Sequence, residues 1–227
     1  CTKFLDAFRQ GKGGVYKPAA NFVDTRCDLF GQFEIPIEDR NRTSPFPYGG
    51  HRFEFRAVGS SQNVSFVNTV LNTMCAEMFA EFADKIEKGA KPAAVAAEAL
   101  NKHWKVIFNG NGYGADWPVE AVKRGVWKID EGWKAIERMG DQKNVDLFEK
   151  MKVLTKDELI ARRDVDWGHY IGLVEIEAGT MIDMVTQSIV PVLKKEGISE
   201  KDVVATCKAV ADKLAHLHKT DDLCKRA

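Results

Sequence analysis

The chain has no C-x-x-C pair. Its five cysteines, Cys1, Cys27, Cys75, Cys207 and Cys224, are odd in number and widely spaced. That excludes a zinc ribbon and a thioredoxin-type motif, and it predicts reduced thiols in an intracellular protein, cytoplasmic or organellar. Histidine is scarce, and His216 and His218 have no cysteine pair beside them. Charge of one sign is not in excess either: Lys+Arg is 33 and Asp+Glu is 33, so the formal net charge is zero. A nucleic-acid partner usually calls for a basic excess or stripe, and none is present. No apolar run reaches the roughly 18 residues of a membrane span. Lys3, Asp6 and Arg9 break any early apolar run of the kind that opens a signal peptide.

What is there reads as globular. The 227 residues are 44% hydrophobic and 29% charged, which excludes wholesale disorder and collagen-like sequence. The length fits one large domain or two small ones. The first residue is Cys1 rather than Met, so the expectation is a processed product or part of a longer chain.

Residues 11–50 are rich in turn formers: Gly11, Gly13, Gly14, Pro18, Pro36, Pro45, Pro47, Gly49 and Gly50. Loops with little regular structure are expected there. His51-Arg52-Phe53-Glu54-Phe55-Arg56 then alternates polar and apolar, the period of a strand. Phe53 and Phe55 face a core in that reading, with Arg52, Glu54 and Arg56 opposite. Such a strand needs partners, which lie either in the irregular N-terminal part or outside this chain, and the second is the expectation.

Beyond it the pattern is helical. Val67, Val70, Leu71, Met74, Met78, Phe79, Phe82 and Ile86 predict an amphipathic helix with Gly89 as its stop. Cys75 lies on that apolar stripe and is expected in the core. Further helices are predicted over 92–106, near 116–124 and 129–138, from about Trp167 to Leu193, and from Ser199 to about Lys219. Thr155-Lys156-Asp157-Glu158 is a capping box, with Leu154 and Leu159 as its hydrophobic staple. The five tryptophans are expected in core packing or subunit contacts. Glu175, Glu177 and Asp183 share a helix without an E-x-x-H partner, and a solvated face explains them better than a metal site.

The chemistry-bearing residues concentrate in Arg42, Arg52, Glu54 and Arg56. Guanidinium forks grip carboxylates and phosphates at two points. A glutamate among them can hold Mg²⁺, which accepts one or two carboxylates plus phosphate oxygens. Those are the parts phosphoryl transfer needs. An Arg-Glu-Arg face is also the pattern of a solvated strand with surface ion pairs, and spacing alone favours that plainer reading.

The residues themselves resemble a family. Asn41-Arg42-Thr43-Ser44-Pro45-Phe46, Phe53-Glu54-Phe55-Arg56 and Gly59-Ser60-Ser61 are similar to the C-terminal catalytic motif of glutamine synthetases, closest to the type III group. Asn68 to Thr73, Ile107 to Tyr113, Lys123-Arg124-Gly125, and Ile176-Glu177-Ala178 through Met184 also resemble type III sequence, in the same order. The joint occurrence tips the balance to an active-site reading.

The resemblance implies a ligase that phosphorylates the γ-carboxylate of glutamate with ATP and lets ammonia attack the γ-glutamyl phosphate. It implies that Arg42 stabilises the transferring phosphoryl group and helps bind substrate. Arg52 contacts the nucleotide phosphates, Glu54 binds Mg²⁺ or Mn²⁺, and Arg56 holds glutamate by its carboxylate. A second phosphate-binding arginine of many family members is replaced by the Phe46-Pro47-Tyr48 stretch, and Glu34 and Glu38 sit where an ammonia-site acid would be sought. The Asn109–Gly114 turn lacks the ending of a P-loop and reads as structural.

The expected fold is α+β: mostly helical, with a short piece of the catalytic sheet around 51–57. Residues 1–100 are the C-terminal part of the catalytic domain and 101–227 a helical extension. The family's other metal ligands and its small β domain lie upstream of this region. The implied assembly is a homo-oligomer of stacked rings, with no nucleic acid and no membrane. The alternative is a non-catalytic helical interaction module that keeps the family scaffold.

Overall fold

The computed structural model describes residues 2–15, 20–35, 46–48, 52–57, 59, 62–108, 112, 114–217, 219 and 223. The chain divides into two compact units, Cys1–Lys128 and Ile129–Ala227. Among the described residues it is mostly helical, as the periodic segments predict, and it carries one two-stranded antiparallel sheet.

In the first unit, α1 (Thr2–Arg9) and α2 (Ser65–Glu87) both pack on α3 (Pro92–His103). Helix α2 forms because its apolar residues recur at three and four; its N-cap, Val64, has no capping side chain, and the first helical N–H, that of Ser65, donates to Asn63 Oδ1 at 2.8 Å. It stops at Gly89, whose φ of 96° lets its N–H reach Ile86 O at 2.9 Å while Ala90 N–H reaches Lys85 O at 3.0 Å. Those two bonds are a Schellman motif. Pro92 then starts α3 where its missing N–H costs nothing. Lys85 ties the pair together, 3.0 Å from Glu81 and 2.8 Å from Glu98. Arg9 anchors α1 by lying 4.2 Å over the Trp104 ring and bonding Asn101 at 3.1 Å. A 3-10 turn (Trp104–Val106) and α4 (Asp116–Lys123) complete this unit.

Two expectations fail here. Cys75 is exposed, not a core residue. The stripe on α2 predicts an apolar face but not what covers it: Thr73 is this helix's buried residue, while Phe79 stays 72% exposed. Residues 11–50 are also not all loop. They contain the hairpin of β1 (Asn21–Asp24) and β2 (Gln32–Ile35), in the register Phe22 to Glu34 and Val23 to Phe33. Its turn is held by side chains: Asp24 Oδ1 accepts from Arg26 N–H at 2.9 Å, and the Thr25 hydroxyl donates to Gly31 O at 2.9 Å.

The second unit is built on a long helix, α7 (Lys156–Met184), with α5 (Gly132–Glu137), a 3-10 turn (Arg138–Gly140), α6 (Gln142–Lys150) and α9 (Lys201–Leu217) against it. The capping box is present: Thr155 Oγ1 accepts from Glu158 N–H at 3.3 Å, and Glu158 Oε2 accepts from Thr155 N–H at 2.8 Å. The helix therefore starts at 156, about three turns before the sequence expectation. It does not run unbroken to Leu193 either. A π turn (Val185–Ile189) separates it from α8 (Val190–Lys195), just before Pro191, which has no N–H for the regular ladder. Val145, Phe148, Leu159, Trp167, Ile171, Val190 and Cys207 form the buried apolar set. The Trp167 indole N–H donates to Trp133 O at 3.2 Å, satisfying the one polar atom of a buried ring. Trp127, by contrast, is exposed.

Candidate functional site

The alternating segment 51–56 makes one isolated antiparallel bridge, Tyr48 to Phe53, rather than a laddered strand. The Glu54 N–H donates to Pro47 O at 3.0 Å across the same turn. No further strand lies beside it among the described residues, which is why the period of two yields extended chain without a ladder.

The apolar side of the turn is an aromatic stack. Phe46 lies 5.1 Å from Phe53 and 6.2 Å edge-on from Phe55, and Tyr48 lies 5.1 Å from Phe53. All four rings are exposed, Phe53 at 61%, so Phe53 and Phe55 stack on neighbouring rings and do not face a core as expected: no further element covers them among the described residues. Phe46 and Tyr48 were not expected to share this role. The signal was present in their alternation about Pro47, mirrored by Phe53 and Phe55.

The polar side carries the expected cluster. Arg56 Nε donates to Glu54 Oε1 at 2.7 Å, and Nη2 donates to Oε2 at 3.1 Å. This is a two-point fork, with both partners partly open to solvent. The hydrogen bonds from Arg56 lower the Glu54 carboxyl from its ordinary value; partial desolvation opposes them, and the charges of Arg56 and then Arg52 add to the lowering. Arg52 is exposed and close enough for its charge to be felt at Glu54.

The structure thus brings Arg52, Glu54 and Arg56 together. Arg42 and Glu38 lie outside the described residues, as does most of the Asn109–Gly114 turn. Glu34 sits on the exposed hairpin strand β2. Glu177 and Asp183 are exposed on α7 and Glu175 is half-buried there. No group of three or more His, Cys, Asp or Glu able to hold a metal occurs among the described residues. Glu54 is one ionised carboxylate, and Mg²⁺ accepts a single carboxylate when phosphate oxygens and water complete its shell. The donor set fits a cation that arrives with a polyphosphate, and it does not make a protein-only metal cage.

Near the 109–114 turn, the flanking residues are firmly placed. Phe108 stacks on Trp117 at 3.8 Å, and Arg124 donates to Ile107 O at 3.1 Å while pairing with Glu120 at 2.7 Å.

The profile of the glutamine synthetase C-terminal domain matches residues 93–209, from α3 into α9. Type-3 glutamine synthetase of Dictyostelium discoideum is 36% identical over 184 residues, covering 78% of this chain and 25% of that protein. Glutamine synthetase of Bacteroides fragilis is 32% identical over 166 residues, covering 70% and 23%. That of Butyrivibrio fibrisolvens is 30% identical over 185 residues, covering 78% and 26%. The chain spans about a quarter of the length of the curated relatives it matches.

Proposed function

The chain belongs to the glutamine synthetase family, in its type III group, and from that premise we propose that Arg42, Arg52, Glu54 and Arg56 form part of a site that joins ammonia to glutamate at the expense of ATP. The observation that carries the reading is the fork itself. Arg56 already grips a carboxylate, that of Glu54, in the two-point geometry a substrate carboxylate would need.

Activating the γ-carboxylate of glutamate brings one anion against another. The roles follow from cancelling that repulsion. Arg56 binds and orients the glutamate carboxylate. Arg52 takes the nucleotide phosphates, and Arg42 stabilises the phosphoryl group in transfer and helps bind substrate. Glu54, kept ionised by its neighbours, is the described residue that would hold Mg²⁺ or Mn²⁺. Such a cation, when bound, neutralises charge on the nucleotide oxygens. The γ-carboxylate takes the terminal phosphoryl group of ATP with ADP leaving, and ammonia attacks the resulting acyl phosphate, losing a proton as inorganic phosphate leaves. The arginines hold that phosphate as its charge grows.

A homo-oligomer of stacked rings belongs to the same proposal. Exposed apolar residues on the long helices, Phe79 on α2 and Ile176 on α7 among them, support a chain that buries further surface in an assembly.

The test is glutamine formation by the native polypeptide. Glu54→Ala abolishes the Mg²⁺-dependent reaction if the reading holds. Activity near the parent level removes Glu54 from the site.

A further inference from the structure

We propose that the Arg56–Glu54 fork is a latch that makes cation binding at Glu54 and carboxylate binding at Arg56 depend on each other. The inference rests on the roles given to these two residues above and adds how they are regulated.

The geometry leads there directly. Both carboxylate oxygens of Glu54 are engaged, at 2.7 and 3.1 Å, by two nitrogens of one guanidinium. A cation approaching Glu54 meets a positive group already seated on the oxygens it needs. A carboxylate ligand approaching Arg56 meets a negative group already seated on its fork. Each ligand must displace the same pair of hydrogen bonds. Whichever arrives first frees the binding group of the other.

The backbone does not have to move for this. Glu54 is tied to Pro47 O through its N–H, and Phe53 and Phe55 on either side are stacked on Phe46. The side chains are partly solvent-exposed and can turn away from one another on a fixed turn. Arg52 adds positive charge near Glu54 without being part of the two-point fork. Its pull on Glu54 therefore persists in both states of the latch.

Coupling of this kind is reciprocal: the factor by which a cation tightens the carboxylate equals the factor by which the carboxylate tightens the cation. Because the pair is exposed, the factor is modest, about two- to fivefold.

The experiment measures Mn²⁺ affinity in the presence of saturating ADP, by water-proton relaxation enhancement, for the parent, Arg56→Lys and Glu54→Gln forms of the native polypeptide, each with and without saturating glutamate. Lysine keeps the charge and removes the two-point fork. In the parent, glutamate tightens Mn²⁺ by about two- to fivefold. In Arg56→Lys, Mn²⁺ binds tighter than in the parent by about that factor before glutamate is added, and glutamate then changes little. If Arg56→Lys binds Mn²⁺ as the parent does and glutamate has no effect in either, the latch is overturned while Glu54 keeps its role. If Glu54→Gln binds Mn²⁺ as well as the parent, the cation role of Glu54 is itself wrong and the latch goes with it.

Discussion

Leu159 is the larger of the two most fully buried large side chains in the second unit. It is the fourth residue of α7, it is 1% exposed, and α7 packs against α6, which carries the buried Val145 and Phe148. Leu159→Ala deletes three carbons from a site with no solvent to fill it. At about 0.8 kcal/mol per buried methylene, the transfer loss is about 2.4 kcal/mol. Incomplete collapse of the surrounding side chains adds about 1 kcal/mol. The expected cost is therefore about 3 kcal/mol, which in a unit of about 100 residues lowers the melting midpoint by about 15 °C. Urea titration followed by circular dichroism at the helical band measures it, with the denaturant slope unchanged. A loss below about 1 kcal/mol would refute the packing account, because only a partly exposed or freely collapsing site tolerates that deletion.

Thr155→Ala removes the hydroxyl that accepts from Glu158 N–H and costs about 1 kcal/mol at neutral pH, read from thermal melts. That cost depends on pH. Hydrogen bonds from the Thr155 backbone N–H and hydroxyl hold the Glu158 carboxyl below its ordinary value of 4.5. The folded state thus favours the ionised form, so the stabilisation is complete above the unfolded-state pKa and is lost as pH falls through the lowered folded-state value. The difference between parent and variant should narrow in acid without vanishing, because the bond from Glu158 N–H to the hydroxyl does not titrate and the backbone N–H of residue 155 is kept in the variant; a difference that grows in acid would reverse the sign of the argument. Gly140→Ala places a methyl group 3.0 Å from Arg163 Nη1 and 3.2 Å from Ile160 Cδ1. Arg163 is held by Asp164 at 2.8 Å and lies 4.7 Å over Trp167, so it yields poorly. The expected cost is about 1–2 kcal/mol by chemical denaturation, and a neutral result would show that this contact relaxes freely.

The helices were legible where local chemistry and periodicity agree. The Thr155–Glu158 box marks a helix start because its bonds are local, and the Gly89 stop follows from a φ only glycine adopts easily. Lys152 shows the limit of that logic. It takes a φ of 56° and ends α6 with the same pair of bonds, Lys152 N–H to Glu149 O and Val153 N–H to Phe148 O, at a position no glycine announces. The β1–β2 hairpin escaped because its strands are four residues long and its turn relies on Asp24 and Thr25 side chains rather than on a turn dipeptide. Cys75 was misplaced for another reason. Periodicity identifies a face, and burial requires a neighbour that sequence spacing does not reveal.

The candidate site divides along the same line. Residue types and order placed Arg52, Glu54 and Arg56 on one side of an extended segment, and Phe53 and Phe55 on the other. The fork between Glu54 and Arg56 was not legible. Residues two apart on one face can pair or point apart, and rotamers decide which. The aromatic support from Phe46 and Tyr48 depends on a turn that brings residues five to nine apart back together.

The central claim is that Glu54 holds a divalent cation beside a carboxylate bound at Arg56. Anomalous diffraction from crystals of the native polypeptide grown with Mn²⁺, nucleotide and glutamate tests it most directly. The account predicts a manganese peak within coordination distance of a Glu54 carboxylate oxygen, with the Arg56 guanidinium turned away onto the glutamate. A manganese peak elsewhere, with the fork of Arg56 on Glu54 intact beneath bound substrates, would contradict it.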